Sequence, residues 1–238
     1  MASKMFSFIT RTWNPLGGEC KHNCYNEGCW AQNFSKQRKM VKYTGIPRLV
    51  QSEMHPKFKD EEFDFDFVFV CDMLDLFGAW VPTELIAEII KITNKFNHTK
   101  FLFLTKNPWR YHEVEMTLCQ RDLFFHGDCY FGATIESNRD YKLSLAPPPA
   151  ERLEGIQAAS YSHGLRAFIS VEPIMDFDLD DFSRKIIEIE PWAVACGYDN
   201  YGCKLPEPSL AKTMQLIDRL EKAGIKVFRK SLREAWNA

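Results

Sequence analysis

Short apolar runs alternate along the chain with longer segments in which apolar residues recur at helical spacing. Side chains repeat every two residues in a strand and every three to four in a helix, so the short runs predict strands and the longer segments predict helices. The run 67–71 is apolar throughout, which is typical of a strand covered on both faces of a sheet. The predicted strands are 6–10, 67–71, 101–105, 130–134, 166–171, 192–196 and 225–228.

Amphipathic segments separate most of these runs. The clearest begins at Thr83, the expected N-cap, and extends to about Phe96 with an apolar stripe of leucine and isoleucine. Further helices are predicted at 109–118, 151–161, 180–189 and 208–223, and Gly224 is expected to end the last one.

Repeated strand–helix units predict a parallel sheet with right-handed crossovers. We therefore expect an α/β fold, a partial (β/α) barrel of about six to seven parallel strands. An open doubly wound sheet is the alternative. It is disfavoured because no glycine-rich phosphate-binding loop follows any predicted strand.

Composition indicates one globular domain over residues 1–238, with a polar, lysine-rich insertion at about 34–65. Hydrophobic residues make up 45% of the 238 residues, which is enough for a sizeable core. The net charge of −2 provides no global field that would attract nucleic acid. The chain has no secretion signal and no apolar run long enough to cross a membrane, so we expect a cytoplasmic protein with no membrane partner.

Three cysteines, Cys20, Cys24 and Cys29, lie in one short loop with C-x3-C-x4-C spacing. In a reducing cytoplasm, clustered thiols indicate metal ligands. Spacing alone leaves two alternatives: an iron–sulfur cluster with one open iron, or a zinc ion with His22 or a distant residue as the fourth ligand. The other cysteines have no ligand spacing, and Cys71 and Cys196 are expected in strand cores.

Polar residues follow the predicted strands at their carboxyl ends, where parallel α/β folds place functional groups. Any one of them alone fits a capping or turn role. Together, a group of mixed charge beside the cysteine loop indicates a site for a zwitterionic, hydroxyl-rich ligand. The residues concerned are Asp72, Asp75, Lys106, Glu136, Ser137, Glu172, Gly197, Asn200 and Lys230.

Several short motifs, taken in order, resemble those of radical S-adenosylmethionine (SAM) enzymes. More closely, the chain is similar to an uncharacterised bacterial, archaeal and phage family of three-cysteine proteins. The loop departs from the usual C-x3-C-x2-C spacing, and its aromatic residue, Trp30, follows the last cysteine. The matching segments are 12–15, the loop ending at 29–31, 72–77, 104–106, 170–173 and 227–230.

The resemblance implies a partial barrel with a [4Fe–4S] cluster held by Cys20, Cys24 and Cys29. SAM would chelate the open iron through its amino and carboxylate groups. One electron, from a donor such as flavodoxin or ferredoxin, would cleave it to methionine and a 5′-deoxyadenosyl radical. By the same resemblance, Asp72 or Asp75 would hold the SAM ammonium.

The resemblance also assigns the remaining SAM contacts. Lys106 would meet the carboxylate, Glu136 or Ser137 the ribose, and the segment from Gly197 to Asn200 the adenine. Trp30 and Glu172 complete the predicted cofactor-binding set.

Nucleic acid is the favoured substrate class. It is favoured by a local basic group with aromatic residues nearby that can stack on bases. We expect the 34–65 insertion and Lys230 to face the substrate. The alternative is a zinc-stabilised, non-catalytic nucleic-acid- or protein-binding barrel. The basic group is Lys36, Arg38, Lys39 and Lys42, and the aromatic residues are Trp30, Phe34, Tyr43 and Trp109.

Overall fold

A computed structural model describes residues 5–25, 28–125, 128–163 and 166–236. Its main feature is a seven-stranded sheet in which every neighbouring pair of strands is parallel. The strands follow one another across the sheet in chain order, so the sheet curves into a half-barrel as predicted. They are β1 (Arg11–Trp13), β2 (Phe67–Val70), β3 (Lys100–Thr105), β4 (Cys129–Thr134), β5 (Arg166–Val171), β6 (Ala193–Cys196) and β7 (Lys226–Arg229).

Helices connect the strands, and those between β2 and β7 cover the convex face of the sheet. The first follows the cysteine loop, and each of the other five joins two consecutive strands from β2 to β7. They are α1 (Trp30–Gln37), α2 (Thr83–Thr93), α3 (Trp109–Cys119), α4 (Pro149–His163), α5 (Leu179–Ile189) and α6 (Leu210–Lys222).

Successive side chains of each strand point to opposite faces of the sheet, which divides the core into two apolar clusters. Phe101 and Phe103 of β3 point to the helices, whereas Leu102 and Leu104 point into the concave side. The concave cluster is rich in aromatic residues and fills one end of the half-barrel. The other end, at the carboxyl ends of the strands, is left open. All four residues of β2 are buried, which confirms that this strand is covered on both faces.

The predicted first strand at 6–10 is wrong, since β1 begins at Arg11. The reason is long-range packing of aromatic side chains. The rings of Phe6 and Phe168 lie 5.1 Å apart and those of Phe8 and Phe228 lie 4.7 Å apart, so this segment fills the barrel interior. Thr10 then ties the segment to β2 by accepting a 3.0 Å hydrogen bond from the Phe67 N–H.

The other predicted elements are confirmed to within a few residues. Thr83 is not the N-cap of α2, because Pro82 takes that position without a side-chain cap. The Thr83 hydroxyl instead accepts a 3.0 Å hydrogen bond from Arg110.

The 34–65 segment packs beside β1 and the cysteine loop. Beyond α1 it contains 3-10 turns at Val41–Tyr43 and Gln51–Glu53. The Trp13 indole donates a 2.8 Å hydrogen bond to the Glu53 carbonyl, which holds the segment against β1. Two short antiparallel pairings complete it, Leu16–Gly17 with Arg48–Leu49 and Asp60–Glu61 with Asp64–Phe65.

No helix within the described ranges has the length and apolar character needed to cross a membrane.

Candidate functional site

A cavity of about 1200 Å³ opens at the carboxyl ends of the strands. Its floor is apolar and includes Phe6, Phe69 and Phe228 of the concave side. Nine of the twelve residues predicted to bind metal or cofactor line it, together with Lys230: Cys20, Cys24, Cys29, Trp30, Asp72, Asp75, Lys106, Glu172 and Asn200. Glu136, Ser137 and Gly197 do not line it.

The cysteine loop connects the end of β1 to α1. Gly18 has a φ of 124°, and an added Cβ would lie 2.9 Å from Pro47, so the tight turn there requires glycine. Cys24 is buried, and Cys20 and Cys29 are half-buried. Burial raises the pKa of Cys20 to about 12 and also raises the pKa of Cys24. Thiols in this environment stay protonated until a metal centre displaces the proton.

The described side chains include no group of three His, Cys, Asp or Glu residues placed to hold one metal ion. A single zinc ion needs its ligands within about 2.0–2.3 Å of one point. The ligands of a [4Fe–4S] cluster are spread over separate irons.

His22, inside the loop, is buried. Its Nε2 atom lies 2.7 Å from Asp75 Oδ2, and its ring packs edge-on against Trp80. Asp75 also accepts hydrogen bonds from the Thr105 hydroxyl, at 2.7 Å, and from the Lys106 backbone N–H, at 2.9 Å. Burial would raise the pKa of Asp75, but His22 and these other donors hold it below its usual value.

A second network lies behind Cys24 and is centred on Glu136, whose side chain is 2% exposed. Glu136 pairs with Lys106, accepts a 2.7 Å hydrogen bond from the Tyr25 hydroxyl, and accepts one of 2.6 Å from Arg152. Burial opposes ionisation, but these two cations hold the pKa of Glu136 far below its usual range. The network leaves Glu136 turned away from the cavity and fixes Lys106 at its wall.

Lys106 and Tyr25 are the members of this network that line the cavity. The Lys106 ammonium group also donates a 2.8 Å hydrogen bond to the Tyr25 hydroxyl oxygen and hydrogen-bonds Cys24. Burial would lower the pKa of Lys106, but Cys24 in its thiolate form and the Glu136 carboxylate raise it. Lys106 therefore places a fixed positive charge beside one of the three thiols.

Asp72 is held from the side of β1. The Asn14 side-chain amide donates a 2.6 Å hydrogen bond to Asp72, and its carbonyl oxygen accepts from the Met73 N–H. Burial raises the pKa of Asp72, and the Asn14 hydrogen bond partly offsets this.

The far wall of the cavity is formed by the ends of β5, β6 and β7. Lys230 donates a 2.6 Å hydrogen bond to Glu172, and both side chains are partly exposed. Burial raises the pKa of Glu172, against the opposing effect of Lys230. Gly197 lies behind this pair, where an added Cβ would approach the Lys230 side chain to 2.9 Å.

Ser137 is fully buried, and its hydroxyl donates a 2.6 Å hydrogen bond to the Asp176 carbonyl. It therefore fixes the loop after β4. The basic residues Lys36, Arg38, Lys39 and Lys42 and the aromatic residues Phe34, Tyr43 and Trp109 lie outside the cavity, whereas Trp30 lines it.

Sequence reasoning did not identify Asn14, Tyr25, Arg152 and Cys203 as parts of the site. Cys203 lines the cavity and donates a 3.4 Å hydrogen bond to the Gly28 carbonyl, although it was expected to be unrelated to the loop. Asn14 stood within one of the resembling motifs, which was the one available signal. Cys71 and Cys196 are buried in the core as predicted.

These features define an α/β half-barrel protein with a three-cysteine loop facing a large cavity. The chain belongs to the family described as "Protein of unknown function (DUF5131)", which matches residues 3–236. No curated protein shows significant similarity to it.

Two solved structures are similar in fold. One is a double variant of spore photoproduct lyase with bound AdoMet and dinucleoside spore photoproduct, with a TM-score of 0.57, 12% identity and coverage of 93% of this chain and 65% of that one. The other is Streptococcus suis SuiB bound to S-adenosylmethionine, with a TM-score of 0.55, 10% identity and coverage of 94% and 51%. The chain thus spans about half to two thirds of the length of these proteins, and the likeness is one of fold.

Proposed function

We propose that this protein is a radical SAM enzyme, with a [4Fe–4S] cluster on Cys20, Cys24 and Cys29 and SAM in the adjoining cavity. The observation that carries this proposal is that three thiols from one loop face a single large cavity at the carboxyl ends of a half-barrel. The similar fold of two proteins whose structures contain SAM supports it.

The donor set fits the cluster. Three cysteines leave one iron of a cubane open. A structural zinc ion normally takes four protein ligands. His22, which the zinc alternative names beside a distant residue as a fourth ligand, already contacts Asp75 through Nε2 and packs against Trp80. The cavity is also larger than most small-molecule sites, which leaves room for SAM and part of a substrate.

When bound, the cluster supplies the electron that cleaves SAM to methionine and a 5′-deoxyadenosyl radical. The protein's own residues bind, orient and shield the reactants. The contact between His22 and Asp75 ties the middle of the cysteine loop to the segment that follows β2. Phe6, Phe69 and Phe228 give the cavity an apolar floor, which helps to exclude water from a reactive species.

We divide the predicted cofactor-binding residues into two groups. Trp30, Asp72, Asp75, Lys106, Glu172 and Asn200 line the cavity, and we assign SAM contacts to members of this group. Glu136, Ser137 and Gly197 lie behind the wall, so we assign them positioning roles. Glu136 acts by holding Lys106, and Gly197 by leaving space for Lys230.

Anaerobic purification with metal analysis tests this proposal. We expect about four iron and four sulfide per chain and a brown protein. Reduction with dithionite in the presence of SAM should yield 5′-deoxyadenosine. Cys20→Ala, Cys24→Ala and Cys29→Ala should each abolish the colour, and Cys119→Ala, on the exposed end of α3, is the matched control. A colourless protein with one zinc ion would overturn the proposal in favour of the non-catalytic barrel.

Nucleic acid remains the predicted substrate class. Salt-dependent binding of tRNA or DNA would support this assignment. The basic residues from which this substrate class was predicted lie outside the cavity.

A further inference from the structure

A second, smaller groove lies on the other side of the cysteine loop, between the loop and the segment that follows it. Its volume is about 270 Å³, and Glu19, Lys36, Lys39 and Val41 are among the residues that line it. Cys20 and Met73 line both this groove and the central cavity. Cys20, a predicted metal ligand, therefore lies between the central cavity and this outer groove.

The rim of this groove is positively charged. Lys36 and Lys39 line the groove, and Arg38 lies next to Lys39 at the end of α1. All three are exposed, and none of them forms an ion pair with any residue in the described ranges. Arg48 adds a further positive charge, because its guanidinium donates only to backbone carbonyls, including those of Val41 and Thr44. On this rim Glu19 is the opposing acid, and Lys42 is neutralised by Glu53 at 3.0 Å.

Exposed apolar side chains occur on α1 and on the segment that follows it, and Val41 among them lines the groove. Val41 is 75% exposed, Ile46 is 80% exposed and Phe34 is 42% exposed. Exposed apolar side chains among unpaired positive charges suit the small, transient interfaces used by electron-transfer proteins. The charge steers the encounter, and the small contact area permits rapid release.

We propose that this groove docks a small, acidic, low-potential flavoprotein that delivers one electron to the metal centre at Cys20. The inference rests on the proposed function and deepens it by assigning the reductant its surface. The anionic flavin hydroquinone loses one electron to become the neutral semiquinone, and the centre gains that electron. Docking here brings the flavin against the protein wall that Cys20 shares with the cavity, without blocking the cavity mouth.

The same charges also suit a nucleic-acid backbone, but their position favours the carrier. None of Lys36, Arg38, Lys39 and Arg48 lines the cavity where a substrate would react. Electron transfer needs only a short path to the centre, and this groove reaches Cys20 directly.

The test compares two reductants on the same anaerobic enzyme. A triple variant, Lys36→Glu with Arg38→Glu and Lys39→Glu, is assayed for 5′-deoxyadenosine formation with dithionite and with a reduced bacterial flavodoxin. The control variant reverses three exposed lysines near the outer helices, Lys91, Lys95 and Lys222, which gives the same change in net charge.

We expect the flavodoxin-driven rate at subsaturating carrier to fall by at least about tenfold in the triple variant and to stay near wild type in the control. The dithionite-driven rate and the iron content should be unchanged in both. The wild-type flavodoxin-driven rate should also fall as salt rises.

Equal flavodoxin-driven rates in the triple and control variants would overturn the docking site. A loss of tRNA or DNA binding in the triple variant, with the flavodoxin-driven rate preserved, would also overturn it and assign the groove to phosphate. Absence of iron and of dithionite-driven cleavage in the wild type would refute the proposed function and this inference with it. If the triple variant fails to fold, Arg38→Glu alone is compared with Lys95→Glu under the same criteria.

Discussion

The two walls of the central cavity differ in how their charged groups are paired. On the wall formed by the ends of β2, β3 and β4, Asp75 contacts His22, Thr105 and the Lys106 backbone, and Glu136 has three side-chain partners. On the wall formed by the ends of β5, β6 and β7, Glu172 has Lys230 as its one side-chain partner among the described residues.

This difference separates two kinds of acidic residue that are alike in sequence. Glu136 is 2% exposed and its oxygens are saturated by donors, so it serves to hold other side chains in place. Glu172 is 18% exposed and retains oxygen lone pairs that face the cavity. We therefore expect the first wall to be rigid and the second to be able to change partners when a ligand enters. Four predictions test this contrast, in order of decreasing effect.

Glu136→Gln should cause the largest loss of stability. It removes the shared counter-charge of Lys106 and Arg152, which leaves two buried cations unpaired. Breaking such a buried pair costs about 3–5 kcal/mol of the free energy of unfolding. The matched variant Glu172→Gln should cost about 1 kcal/mol or less, because that pair is more exposed. Urea denaturation measures both, and equal losses would contradict the contrast between the walls.

Glu136 should also make stability depend on acid pH. Its folded-state pKa lies below its unfolded value, so its contribution is fully present above the unfolded pKa of about 4.3 and is lost as pH falls toward the folded pKa. Urea midpoints measured from about pH 6 down to about pH 3 should fall more steeply for the wild type than for Glu136→Gln. Parallel profiles would show that another group controls acid unfolding.

Asp75→Asn should loosen the cysteine loop. His22 loses its charged partner, and the weakened hydrogen bond costs about 1–2 kcal/mol locally, which increases opening of the loop by about tenfold. In metal-free protein, the alkylation rates of Cys20 and Cys24 should rise relative to that of exposed Cys119. Asp72→Asn is the control, because Asp72 contacts Asn14 and not the loop. Similar alkylation rates in the two variants would argue against the tether.

Lys230→Met should have the smallest effect on stability, within about 1 kcal/mol. Its measurable effect is on Glu172, because removing the ammonium leaves burial unopposed and raises the pKa of Glu172 further. Carbon-13 NMR titration of the glutamate carboxyl signals measures this change. A pKa of Glu172 that does not move would mean that Lys230 is not its partner in solution.

Much of the fold could be predicted from sequence because strands and helices leave local periodic patterns. Six of the seven strands were predicted to within a residue or so of their bounds, and their chain order implied a parallel half-barrel. The first strand was placed too early because the 6–10 segment is as apolar as a strand. Its aromatic side chains pack into the barrel against residues more than 60 positions away.

The candidate site was predictable where a local motif marked it. Cys20, Cys24 and Cys29 are separated by a few residues, and all three line the cavity. Parallel α/β folds place functional groups at the carboxyl ends of their strands, and most of the polar residues found there line the same cavity. Position at a strand end did not distinguish Asp75, which faces the cavity, from Glu136, which lies behind it.

The order of the secondary structure elements, the cysteine loop and the kind of side chain at each strand end depend on neighbouring residues, so the amino-acid sequence alone predicts them. Which of those side chains meet depends on the folded chain as a whole. The Tyr25–Glu136 hydrogen bond joins residues 111 positions apart, and the Cys203–Gly28 contact joins residues 175 positions apart. Such contacts depend on how the sheet curves and on which loops its curvature brings together, and no local pattern records either.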